Sequence, residues 1–108
     1  MIEWMEHKEK LAYDNNSGTM AVTERDAWSA SVEEHPRSGK ILIIQVDGHS
    51  FALHWQLFSG TRYTEQNSNI FFSLDDAKKE AARLWKDFLK RMVEYDKEEE
   101  RKARFLGL

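Results

Sequence analysis

Cysteine is absent from all 108 residues. A disulfide framework, a cysteine zinc site and a cysteine nucleophile are therefore excluded together. A chain of this kind suits a reducing compartment, and a cytoplasmic location is expected. Long apolar runs are missing too. The longest, "ILII", is far too short to cross a bilayer, so no membrane span is expected. The opening "MIEWMEHKEK" mixes charges and carries no apolar stretch of the signal-peptide kind. The single proline and five glycines are scattered, which leaves no linker, and no repeat or low-complexity segment is present. Charge of one sign is also scarce. A net charge of -3 disfavours a strongly basic nucleic-acid binder while leaving room for a local basic surface.

What is present is material for one ordinary domain with a real core: 41% of the residues are apolar and 12% aromatic. Residues 2–13 admit a short N-terminal helix, with Trp4, Lys8, Leu11 and Ala12 at helical spacing. "DNNSG" is a dense turn signal. "TMAVT" reads as a short strand. "DAWSASVEE" reads as a second, because Trp28, Ala30 and Val32 alternate with polar residues. After the turn "HPRSG", the β-branched run "KILIIQV" leads to Asp47-Gly48, and "HSFALHWQLF" returns.

Asp-Gly between two apolar runs predicts a two-residue hairpin turn. That turn sets Val46 opposite His49 and Ile44 opposite Phe51. Leu42, Ile44, Val46, Phe51, Leu53, Trp55 and Leu57 then share the core face. Ile41, Ile43, Ala52, His54 and Gln56 share the other. Apolar Ile41 and Ile43 on that second face call for a cover, either the N-terminal segment or a partner. His49 and His54 fall on opposite faces and cannot share a metal. His7 and His35 have no ligand spacing to either, so no metal site and no cofactor are expected.

The best-marked element is the C-terminal helix. Ser73 stands as N-cap with Asp76 three residues on, and Asp75 and Asp76 suit the positive helix end. Leu74, Ala77, Ala81, Leu84, Trp85, Phe88, Met92 and Tyr95 form one apolar stripe. Helix over residues 74–104 would span roughly 45 Å, against about 23 Å for a seven-residue strand. The surplus forms a charged extension with an apolar tail, residues 97–108, beyond an α+β domain of residues 1–96.

Four features bear on function. Lys79, Arg83, Lys86 and Lys90, continued by Lys97, Arg101 and Arg104, lie on one helical line opposite the apolar stripe, which could track a phosphate backbone. Asp76, Glu80, Asp87, Glu94 and Glu98 lie beside that line, as on an ordinary solvated helix face. Phe105 and Leu106 end the chain as an apolar tail that could meet a partner. Trp4, Phe58 and Tyr63 are aromatics without an evident burial reason, and Ile41, Ile43 and His54 lie on the second hairpin face. These eight residues are the candidate protein-contact set.

No nucleophile elbow, phosphate-cradling glycine loop or HExxH is present, and Asp75-Asp76 is explained by capping, so no enzyme is expected. The order of elements is similar to that of double-stranded-RNA-binding domains, and the strands-then-helix order to phage-integrase DNA-binding domains. Both resemblances are of topology alone. Asp75 and Asp76 stand where RNA phosphates would have to meet the helix, and residues 1–72 hold ten acids against six bases.

The sequence thus predicts an α+β fold, an antiparallel β-meander of three to five strands packed against one long C-terminal α-helix. Its expected core is Trp28, Val32, Leu42, Ile44, Phe51, Leu53, Trp55, Phe72, Leu84, Trp85, Phe88 and Met92. The expected function is a non-catalytic protein-interaction module: a small inhibitor, adaptor or accessory protein of a phage- or mobile-element-like kind. A protein partner is expected, with a homodimer admissible. The alternative is nucleic-acid binding through Lys79, Arg83, Lys86 and Lys90.

Overall fold

The computed structural model describes residues 2–14, 18 and 20–105. Five strands follow one another: β1 (Met5–Asp14), β2 (Met20–Glu34), β3 (Arg37–Gln45), β4 (Phe51–Ser59) and β5 (Tyr63–Phe71). Helix α1 (Leu74–Phe105) comes last. Each strand pairs antiparallel with the next, in the order β1-β2-β3-β4-β5. The fold is α+β, a five-stranded meander with one long helix across one face.

The short N-terminal helix is not there. Residues 5–14 form β1, because the hairpin with β2 pairs Met5 through Asp14 with Ser29 through Met20 and supplies a ladder that a weakly amphipathic helix could not match. The two strands expected at "TMAVT" and "DAWSASVEE" are one continuous β2, and "TRYT" and "NIFFS" both fall within one stretch around β5.

The helix begins as its sequence requires. Ser73 Oγ accepts the N–H of Asp76 at 3.0 Å, and the Ser73 carbonyl accepts that of Ala77 at 3.1 Å. Buried Ala77 and Ala81 permit close approach to Ile41, Ile43 and Leu53. Farther along, Phe88 and Met92 enclose Leu57, with Trp85, Tyr63 and Tyr95 packed around them. Gly39 completes this surface: a Cβ there would stand 2.6 Å from Leu57 Cδ2. Two ion pairs tie sheet to helix. Arg91 bridges to Glu65 at 2.8 Å, and Arg37 reaches the Met92 carbonyl and the Asp96 carboxylate.

The register of the β3–β4 hairpin differs from expectation by one residue. Gln45 pairs with Phe51, Ile43 with Leu53 and Ile41 with Trp55. The loop is three residues long, closed by Val46 N–H donating to the Ser50 carbonyl at 2.8 Å. Asp47 Oδ1 accepts the N–H of His49 at 2.7 Å, and Gly48 does not take the positive φ of a two-residue hairpin turn. One residue of slip exchanges the faces of β3. Ile41 and Ile43 are therefore core residues, 3% and 0% exposed, while Leu42 and Ile44 lie on the face away from the helix. Phe72, expected inside, is 81% exposed.

Two parts project from the helix–sheet body. β2 pairs with β3 only from Ala27 to Glu34, so Met20–Asp26 pairs with β1 alone and forms a two-stranded arm past the β3 C-terminal end. The helix runs past the opposite end, where Arg37 and Leu57 lie. These opposed projections account for the 64 Å long axis of a molecule only 19 Å thick.

Candidate protein-contact surface

One sheet face lies under the helix; the other carries no element of the chain among the described residues. The registers define rows across this open face. The apolar row is Ala27, Ile44, Ala52 and Ile70, with His7 at its β1 end. Val46 and Phe72 continue it past the ends of β3 and β5. Ile70, Phe72 and Val46 are 50%, 81% and 42% exposed. The next row is Met5, Ser29, Leu42, His54 and Ser68, and beyond it come Ser31, Lys40, Gln56 and Gln66. Small side chains on β2 between longer ones on β1 and β3 leave a shallow hollow of about 860 Å³, lined among others by Ser29, Ser31, Lys40, Leu42, His54 and Gln56. The face thus has an apolar corner at the arm end and beside it a hollow of mixed polar and apolar lining.

Few charges act here. His7 Nε2 lies 2.8 Å from Glu9 Oε1, and this hydrogen bond raises the His7 pKa above its ordinary value, aided by the Met5 carbonyl. Asp47, at the corner's loop, is held below the usual carboxylate range by the N–H of His49. His7 and His54 share the face but are three strands apart, about 14 Å at standard strand spacing. Among the described residues no three His, Asp or Glu side chains come together in a way that could hold a metal. No helix among them is long and apolar enough to cross a membrane.

The eight residues expected to contact a partner are dispersed. His54 is exposed on the open face and Phe58 is half-buried at its far end. Ile41 and Ile43 lie in the core instead, because of the register. Trp4 packs against the core under the first helical turns, with Lys78 Nζ 5.9 Å from its ring centre. Tyr63 is on the helix side, its ring 6.0 Å from Phe88 and 6.1 Å from Tyr95. Phe105 is almost fully exposed at the helix end. Leu106 lies outside the described residues.

Sequence reasoning missed Leu42, Ile44, Val46, Ile70 and Phe72 as surface residues. One signal would have found the first two. Only His35 and Pro36 separate β2 from β3, and that tight turn places Ile43 beside Trp28 and Gly39 beside Val32. The Trp28, Ala30, Val32 alternation then assigns Ile41 and Ile43 to the covered face.

Lys79, Arg83, Lys86 and Lys90 lie on the part of the helix turned from the sheet, and all four are exposed. Arg83 is paired with Glu80, while Lys79, Lys86 and Lys90 join no ion pair among the described residues. From Lys97 to Lys102 the helix is polar all round, and the extension pairs with itself, Glu98 with Arg101 at 3.1 Å and Glu100 with Arg104 at 2.6 Å. No family model matches the chain, and neither a curated protein nor a solved structure does.

Proposed function

We propose that the chain is a non-catalytic protein-interaction module, a small inhibitor, adaptor or accessory protein, and that its binding surface is the open sheet face. One observation carries this reading: an antiparallel face that no described element covers, with an apolar corner (Ile44, Val46, Ile70, Phe72) beside a hollow of mixed polar and apolar lining. A solvated face of this kind is ordinarily polar, and apolar patches of this sort mark contact sites. The test compares capture of source-cell proteins by the unchanged chain and by Leu42→Glu, a change in the middle of the face. The expected result is a partner retained by the first and lost by the second, with both melting alike. Equal capture by both would remove the open face from the function.

The second reading is nucleic-acid binding along the helix. It is favoured by Lys79, Lys86 and Lys90, three cations on one line without ion-pair partners among the described residues. It predicts an affinity for DNA or RNA that falls steeply with salt and is abolished by Lys79→Glu with Lys86→Glu. Fluorescence anisotropy with single- and double-stranded probes at low and moderate salt measures both. Absence of binding at low salt rejects it.

A further inference from the structure

We propose that the free edge of β2, from Ala30 to Glu34, binds an extended peptide of a partner protein in which basic and apolar residues alternate. This surface is separate from the open face and does not depend on what meets that face.

The strand registers make the edge. β1 begins at Met5, opposite Ser29. β2 runs on beyond that pair and stays joined to β3 as far as Glu34–Arg37. Ala30–Glu34 is thus a strand with a strand neighbour on one side only. Residues 2–4 leave the β1–β2 ladder, and Ile2 and Trp4 pack against the core. A cleft of about 340 Å³ is bordered by Ile2 and Glu3, by Ser31–Glu34 of β2, and by Trp85 of α1. Its size is in the range of ligand pockets, roughly 300–1,000 Å³. Backbone groups of β2 that would otherwise have met β1 can pair there with an added strand.

Alternation decides what each side chain of that strand meets. Val32 pairs with Gly39 and Glu34 with Arg37, so both lie on the helix side, where Trp85 is. Ser31 and Glu33 pair with Lys40 and Ser38 and lie on the open side. Glu3 borders both this cleft and the open-face hollow. An added strand therefore sets one side chain against Val32 and Trp85 and its neighbours against Ser31, Glu33 and Glu3. The first position suits an apolar residue and the others basic ones.

Charge selects the occupant. Glu3, Glu33 and Glu34 are all exposed, and no base lines the cleft. None of the three joins an ion pair among the described residues. Arg37, across the strand pair from Glu34, is taken by Asp96 and the Met92 carbonyl. Acids without a counter-charge attract a basic segment and repel an acidic one. They also oppose a second copy. Two β2 edges joined together would gather both sets of acids in one seam, and like charges across a strand pair are destabilising.

The other edges are guarded differently. On edge strand β5, the side chains of Asn67 and Asn69 accept the N–H groups of Ser68 and Ile70 at 2.8 and 2.9 Å. Edge strand β1 carries charges of both signs, Glu6, Lys8, Glu9 and Lys10. Occupied donors and mixed charge discourage any added strand. On the free stretch of β2 the charges are of one sign, which excludes most strands and admits a basic one.

The experiment is fluorescence anisotropy of a labelled peptide of alternating lysine and valine, about eight residues long as a usual strand is, titrated with the full chain. A peptide of alternating glutamate and valine is the control. Saturable binding of the lysine peptide and none of the glutamate peptide is expected. Glu33→Lys with Glu34→Lys should weaken that binding about tenfold or more. Thermal melts should agree, because both residues are exposed. Two further lysine peptides carry methyl groups on every second backbone nitrogen, one at odd positions and one at even. Only one of them should bind, since a strand turns alternate N–H groups toward a given neighbour. No binding of the lysine peptide, undiminished binding by the double variant, or equal behaviour of the two methylated peptides overturns the proposal. A doubled mass of the chain alone that the same double substitution reverses names a second copy as the occupant and overturns it too. Leu42→Glu should bind the lysine peptide undiminished, so the open-face reading and this one stand or fall separately. A loss there places the peptide on the open face and overturns the edge.

Discussion

Ile43 and Ile44 are neighbours of identical chemistry with opposite fates. Ile43 is completely buried beneath α1 among Leu53, Ala77 and Ala81. Ile44 lies half-buried on the open face between Ala27 and Ala52. The covered face holds the fully buried large side chains and both ion pairs from sheet to helix. The open face holds the exposed apolar corner and the hollow. Stability resides on one side of a single sheet, and the surface proposed to meet a partner lies on the other. Hydrophobicity alone does not distinguish a core residue from an open-face residue; register does.

This contrast can be broken most directly by truncating the two isoleucines. Ile43→Ala leaves a cavity beneath the helix and should cost about 2–5 kcal/mol, whereas Ile44→Ala leaves none and should cost less than about 1 kcal/mol. Denaturant unfolding measures both, and equal costs would contradict the register. Gly39→Ala tests the covered face by crowding it. Its Cβ would lie 2.6 Å from Leu57 Cδ2 and 3.0 Å from Val32 Cγ2, and Leu57 is fully enclosed, so a loss of about 1–3 kcal/mol is expected.

Acid titration sharpens the same point. Arg91 holds the Glu65 carboxyl below its ordinary pKa through their hydrogen bonds. A lowered folded pKa means that the unfolded chain binds the proton more readily. The stabilisation is therefore present above the ordinary carboxylate value and lost as pH falls through the lowered one. Glu65→Gln should flatten the acid limb of the Tm–pH curve, and an unchanged limb would show that this pair does not stabilise the helix on the sheet. The smallest effects belong to surfaces outside the covered face. Phe72→Ser should shift stability by no more than about 0.5 kcal/mol. Ending the chain after Asp96 should leave the melt equally unmoved, because the removed ion pairs are exposed pairs at helical spacing.

The helix is legible in the residues themselves. Ser73 caps it, the apolar stripe from Leu74 to Tyr95 faces the sheet, and the acids of the first turn lie where the helix dipole favours them. The meander is legible from alternating strands and short turns. The candidate surface is much less so. Of the residues expected to meet a partner, His54 lies on the open face, whereas Ile41, Ile43, Trp4 and Tyr63 are packed against the helix side. The cause is local. The Asp47 side chain takes the His49 N–H and makes a three-residue loop where Asp-Gly predicts two. One added residue reverses every side chain of β3 relative to β4.

Periodicity and capping act within single segments, so the amino-acid order is enough to specify the fold class, the helix with its covered stripe and the separation of a charged extension. Three other features follow from pairing between segments distant in the chain: which face of β3 the helix covers, the strand conformation of β1, and the meeting of an arm and an apolar corner at one end of the sheet. For these, one residue of register or the presence of a neighbouring strand outweighs local propensity.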